Sequence, residues 1–353
     1  MKKLFSNKYR SRTISFLGVI IAYAVLQTMA ATHSINAMLI SLFVPACAYI
    51  IAAIGLNLNV GVSGELNLGQ AGFMSIGAFS GIILVGVIKN SVTSPVLQLI
   101  IAVIFGALAA ALFGFLIGIP VLKLQGDYLA IVTLAFGQII MGILNNLYVG
   151  YDTDGLHFSF IDNTLKLKDG GKLLLSGPMG ATGVTRISTF TIGIIMVILA
   201  LIIVYNLMYS KSGRAIMAAR DNRIAAESVG INISRTKMLA FVVSASLAGA
   251  AGALYGLNYA SVAASKFDFN TSILILVYVV LGGLGNMNGT LVATTLLVVL
   301  PEMLRFLSSY RMLIYAVVLI VMMIVTNNEK VKTWLEGRKR KKSVSEKGVE
   351  NNG

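Results

Sequence analysis

The sequence predicts an all-α fold: a polytopic transmembrane helix bundle of about ten crossings, with broken helices and with the N- and C-termini cytoplasmic. Three observations predict it. The 353 residues are 57% hydrophobic and only 12% charged, so the apolar surface exceeds what one soluble core can hide. Apolar runs close to the ~20 residues needed to span a hydrocarbon core recur along the chain. Lys and Arg fall between those runs in an uneven pattern.

In order, the expected crossings are 14–32, 35–56, 70–88, 96–121, 128–149, 187–209, 238–259, 270–284, 290–307 and 312–326. The first follows Lys2, Lys3, Lys8, Arg10 and Arg12 and lacks a small-x-small cleavage site, so a retained helix is expected rather than a signal peptide. With residues 1–13 inside, twenty of the 28 basic residues fall on the inner side and eight on the outer. The membrane domain then runs 14–326. Its longest outer loop, 150–186, is long enough for a small cap, and its longest inner loop is 211–237. Residues 327–353 read as a disordered basic tail, whose RKRKK run at 338–342 suits anionic lipid headgroups.

The excess of basic residues tracks membrane topology, so nucleic acid is not an expected partner. The single cysteine, Cys47, excludes an intrachain disulfide, and no ligand pair has metal spacing, so His157 and the acids of the outer loop read as a solvated face. No Ser/His/Asp arrangement or paired intramembrane carboxylates argue for an enzyme. Asp127, Glu302 and Arg305 lie near helix ends, where capping or a local ion pair explains them. The G-x-x-x-x-G-K-[ST] loop is missing, so the chain is expected to bind no nucleotide by that means and no other cofactor.

Three constellations remain. Residues 55–72, GLNLNVGVSGELNLGQAG, interrupt two apolar runs with five glycines and polar residues. The segment is either unwound backbone buried at membrane depth or an ordinary loop at the inner surface. A second break, LGGLGNMNGT at 281–290, repeats the pattern and hints at pseudo-symmetric halves. The expected pathway-lining set from both is Gly64, Glu65, Asn67, Gln70, Asn286 and Asn288. The third constellation is the 211–237 loop, with six basic and two acidic residues. Arg214 to Val229 favour a helix, Gly230 suits its C-cap, and Ala225 with Ala226 offers a smooth patch for another protein. A solvated topogenic loop is the bland alternative. Small-xxx-small spacings at Gly77/Gly81, Gly114/Gly118 and Gly252/Gly256 read as helix-packing seams.

Four stretches resemble one family. SGELNLGQAGF at 63–73 is similar to an SGxLxLGxAxF signature, and GDYLAIVTL at 126–134 to a GDYxAIVTL segment. SGRA at 212–215 with AAESVGI at 225–231 resembles a cytoplasmic coupling loop, and GGLGN at 282–286 with LPE at 300–302 a late glycine break and helix. Together, and in this order, they resemble the permeases of branched-chain amino acid ABC importers, LivM type. The resemblance implies a bacterial inner-membrane subunit that pairs with a second permease subunit. It further implies two ABC ATPase subunits that use ATP below, and an extracytoplasmic solute-binding protein delivering Leu, Ile or Val above. Alternating access would follow, with ATP binding moving the 211–237 helix.

The Ala225-Ala226-x-x-x-Gly230 spacing is similar to the motif by which ABC importers contact their ATPases. Arg214, Arg220, Asp221, Arg223, Ala225, Ala226, Glu227 and Gly230 are therefore the expected coupling residues. Ile224 replaces the motif's glutamate, leaving Asp221, Arg223 or Glu227 to supply a polar anchor. Gln125, Gln138 and Met141 stand where charged residues are expected, and the 150–186 loop is longer than usual, with GPMGATG at 177–183 in place of a TGGxxG stretch. Sugars, nucleosides, or urea and short amides are the alternative cargoes, and an ion-coupled secondary transporter is the rival class.

Overall fold

The computed structural model describes residues 2–32, 36–89, 91–124, 126–152, 155–160, 171–304 and 310–327. Gln125, His33, Arg305, Asp154, Asp162, Asp169 and the tail beyond residue 327 lie outside them. The chain divides into two units, 1–298 and 299–353; of the described helices, the first holds all but the last one and the final turn of the one before it, Met287–Met303.

Thirteen α-helices are present among the described residues: α1 (Lys2–Ala31), α2 (Ala37–Ser41), α3 (Phe43–Asn57), α4 (Gln70–Ile88), α5 (Pro95–Val121), α6 (Asp127–Asn145), α7 (Phe190–Tyr209), α8 (Lys211–Asp221), α9 (Arg223–Ser228), α10 (Ile233–Gly256), α11 (Phe269–Gly282), α12 (Met287–Met303) and α13 (Arg311–Asn327). Among the described residues six helical segments are long and apolar enough to cross a membrane: Met38–Ser63, Gln70–Ile88, Pro95–Val121, Asp127–Asn145, Phe190–Tyr209 and Ile233–Gly256. Ser15–Ala30, Phe269–Gly282 and Met287–Met303 are shorter apolar helices. In the second unit, α13 exposes Leu313, Val317, Ile320 and Ile324.

The all-α expectation needs one correction. Part of the 150–186 loop folds into strands β1 (Tyr148–Asp152), β2 (Gly155–Ser159), β3 (Lys172–Ser176) and β4 (Ala181–Thr182), and these join β5 (Ser261–Val262) from the α10–α11 connection. The sheet order is β2-β1-β3-β4-β5, all pairs antiparallel. The expected crossing 128–149 accordingly stops at Asn145, and its last residues enter β1. The sheet caps one end of the bundle. The 211–237 segment, joined to the sheet region by the 20-residue α7, occupies the other.

The small-xxx-small seams are where α4, α5 and α10 cross. A Cβ at Gly252 would sit 1.8 Å from the Met74 carbonyl oxygen, and one at Gly77 2.0 Å from that of Gly249. Gly106 abuts Gly77, and Gly114 abuts Ala245. Lipid supplies no hydrophobic force between helices, so this backbone-to-backbone approach is what binds them. Gly252→Ala is expected to destabilise the protein by about 3 kcal/mol, since backbone cannot move aside as a side chain can. Gly142→Ala in α6, whose new methyl meets nothing within 4 Å, is expected to gain about 0.5 kcal/mol. Thermal unfolding of the two variants in detergent measures the contrast.

Candidate functional site

The 211–237 segment is built from helix caps. The Ser210 hydroxyl accepts from the Gly213 amide at 3.1 Å and starts α8, and Gly213 packs where a Cβ would lie 2.1 Å from the Leu207 carbonyl oxygen. The single helix expected across 214–229 is instead two. Asn222 takes an extended backbone, and its side-chain oxygen accepts from the Ala225 amide at 3.0 Å, ending α8 and capping α9. Gly230, at φ +83°, closes α9: its amide donates to the Glu227 carbonyl and the Ile231 amide to that of Ala226, the paired bonds of a Schellman motif. Asn232 then caps α10, which begins at Ile233, so Lys237 stands on a helix rather than in the loop.

Folding distributes the expected coupling residues between two faces. Ala226 is buried, packed with Ala219 and Ile233 in a small core of the segment's own, so the Ala225–Ala226 pair offers no common patch. What α9 presents outward is Ile224, 81% exposed, with Val229, 75% exposed, just beyond its last turn. Ala225 and Gly230 are exposed beside them. Arg223 pairs with Glu227 across one helical turn at 3.2 Å, and Arg214 donates to the Tyr209 carbonyl.

The inward face reaches the first break. After α3 the chain continues as a π-helix, Leu58–Ser63, then runs irregularly to Gln70. Most of the stretch is enclosed by protein: Asn57, Asn59, Ser63, Glu65, Asn67 and Gln70 are all buried, unlike an ordinary solvated loop, while Gly64 is exposed. Several backbone amides of the stretch are paired within it or with side chains of other helices. The Glu65 amide donates to the Asn59 carbonyl, Leu68 to the Thr133 hydroxyl, Gly69 to the Asn67 side chain, and Ala71 to the Ser272 hydroxyl. Gln70 donates to the Ala52 carbonyl and accepts from Asn67 and Ser244.

Two basic side chains of the 211–237 segment grip this break. Arg220 donates through Nη1 to the Gly61 carbonyl oxygen at 2.9 Å, at the C-terminal end of the π-helix where a cation is favoured, while its other nitrogens hold Asp221. Gly64, left-handed at φ +76°, lies under the Arg220 stem, where a Cβ would come within 2.6 Å of Cγ. Lys237 pairs with Glu65, the two side chains 16% and 11% exposed.

The second break meets the first from the other side. The Gly285 amide donates to Asn57 Oδ1 at 2.8 Å, and Asn57 Nδ2 donates to the Thr290 hydroxyl at 2.7 Å. A Cβ on Gly61 would lie 2.2 Å from the Gly285 nitrogen. Asn286 caps α12 through the Gly289 amide, and Asn288 accepts from Ser15 of α1. The breaks, read in the sequence as separate candidates, are one junction. Sequence reasoning missed Asn59 and Ser63, whose side-chain polar atoms are buried with no hydrogen-bond partner among the described residues. Their signal in the sequence was their place among the polar residues of the 55–72 break, and in the structure it is the π-helical register.

The family described as the branched-chain amino acid transport system / permease component matches residues 38–326. The chain belongs to this family. A permease of this family is a multi-pass membrane protein, in keeping with the six long apolar helices. It is 35% identical over 286 residues to the high-affinity branched-chain amino acid transport system permease protein LivM of Salmonella typhimurium, and equally so to that of Escherichia coli. Each match covers 78% of this chain and 66% of the relative, so the permease spans just under two thirds of their length. It is also 24% identical over 260 residues to the fructose import permease protein FruG of Bifidobacterium longum, covering 72% of this chain and 71% of that one. No solved structure matches the permease.

Proposed function

We propose that the chain is the membrane-spanning subunit of an ABC importer of the bacterial inner membrane, translocating branched-chain amino acids. Its partners in this reading are a second, homologous permease, two ATPases that use the ATP, and an extracytoplasmic binding protein. The observation that carries it is the two-faced 211–237 segment: α9 turns Ile224 and Val229 outward, while Arg220 and Lys237 hold the break within. An element that docks a motor and moves a gate needs these two attachments.

In this proposal ten crossings leave both termini on the cytoplasmic side of the membrane, the side to which the 211–237 segment is assigned. The residues foreseen as pathway-lining, Gly64, Glu65, Asn67, Gln70, Asn286 and Asn288, act as the gate at its inner end. Pulling α8 and α9 outward draws on the Gly61 carbonyl and on Glu65. The buried amide of Asn59 and hydroxyl of Ser63 gain partners once the junction rearranges, which favours a second conformation.

Uptake of radiolabelled leucine into vesicles bearing the full importer is expected to be competed by isoleucine and valine. If none of the three is taken up or competes, the amino acid reading fails. The likeness to a fructose permease makes a sugar the first alternative to try in the same vesicles. Co-purification of an ATPase subunit with the detergent-extracted chain separates either cargo from an ion-coupled carrier.

A further inference from the structure

At the capped end of the bundle a cavity of about 360 Å³ lies between the last turn of α4 and the sheet, within the size range of small-ligand sites. The sequence builds it with a β-bulge. Val149 pairs with Leu175 and Gly150 with Leu173, so Leu174 is the extra residue on β3. The bulge seats Leu174 against Gly86 of α4, where a Cβ would lie 2.6 Å from Cδ2. Glycine there brings the sheet close to the helix, and Leu174 joins Val85 as apolar lining.

The polar lining has both signs of charge. Lys89, just past α4, and Lys172, opening β3, have no ion pair among the described residues. Asp152, at the end of β1, is the acidic member; its side chain is 2% exposed and it pairs with His157 at 3.1 Å. A plain anion would suit the lysines but lie near the buried carboxylate of Asp152, and a plain cation would meet two lysines. A neutral sugar could hydrogen-bond here but would bring no counter-charge to the two lysines. A zwitterion with a short apolar tail matches two cations, one carboxylate and an apolar wall.

We infer that this cavity is a binding site for an apolar α-amino acid, with its carboxylate on Lys89 and Lys172, its ammonium on the Asp152 side and its side chain against Val85 and Leu174. It rests on the importer reading for its role, which is to hold solute at the outer surface before the pathway opens.

The test is equilibrium binding of tritiated L-leucine to the full chain in lipid nanodiscs. Saturable binding is expected, with Lys89→Met/Lys172→Met raising the apparent Kd roughly tenfold or more. Both lysines are exposed, so these variants are expected to keep the parent's elution profile and melting temperature. 3-Methylbutylamine and 4-methylpentanoate, each lacking one charge, are expected to compete at least tenfold more weakly than unlabelled leucine. No saturable binding, an unchanged Kd in the double variant, or equal competition by 4-methylpentanoate overturns the inference. Leucine uptake by the complete importer is measured alongside. Intact uptake without nanodisc binding sinks this site alone, whereas loss of leucine, isoleucine and valine uptake in the parent sinks the importer reading.

Discussion

Ile224→Asp combined with Val229→Asp is expected to leave the permease folded and inserted while weakening its hold on ATPase subunits about 100-fold and reducing uptake at least tenfold. Both side chains are three-quarters or more exposed, and neither belongs to the buried Ala219–Ala226–Ile233 cluster. Their substitution therefore removes little from the free chain. Burying two such side chains in a partner contributes roughly 1.5–3 kcal/mol each, and a carboxylate left in an apolar cleft adds a desolvation cost. Together these exceed the ~2.7 kcal/mol of a hundredfold change. Pull-down of the ATPase with tagged permease reads the effect, and the melting temperature of the isolated chain is the control. Unchanged ATPase recovery would place the docking surface elsewhere. Ala226→Asp makes the opposite error, because it puts charge into the segment's own core and is expected to lower the melting temperature itself.

The reason that distinction was hidden from the sequence is physical. Ala225 and Ala226 are adjacent small residues, and adjacent helical residues point about 100° apart. Which one faces inward depends on the kink at Asn222, whose side chain competes with the backbone for the Ala225 amide. The glycine of the C-cap was legible because a positive φ admits few other residues, and Gly230 takes the place expected of it. Long apolar runs were legible for a similar reason, since length and composition alone set them. The cap was not. KLLLS at 172–176 is too short to show alternation, its bulge breaks what there is, and β5 comes from almost ninety residues later. The meeting of the two breaks was equally invisible, because the Asn57–Gly285 bond joins residues 228 apart. Each break alone has the glycine and asparagine composition of any loop.

Lys237→Glu is expected to cut uptake at least tenfold while the ATPase still binds, and Glu65→Lys/Lys237→Glu to restore a substantial part of it. Lys237 and Glu65 have less than a fifth of each side chain exposed. Reversing one charge leaves two carboxylates facing each other where solvent screens them poorly, a penalty of roughly 3–5 kcal/mol for a buried site and less for this partly wetted one. The docking face of α9 lies apart from this pair, so motor binding is retained and only its transmission fails. ATP hydrolysis measured with uptake in the same proteoliposomes separates the two: hydrolysis continuing without transport is the expected signature. Arg220→Ala tests the second attachment, since removing the guanidinium frees the Gly61 carbonyl and clears the space over Gly64. If either attachment alone moves the gate, each single variant keeps most of its transport and only the combination uncouples. If both are required, because Arg220 holds the π-helix end and Lys237 the residue two beyond Ser63, each single change uncouples as fully as the pair. The spacing favours the second outcome: the attachments lie on α8 and α10, either side of α9, and a rigid tilt of α8 alone would rotate the break about Glu65 rather than carry it outward.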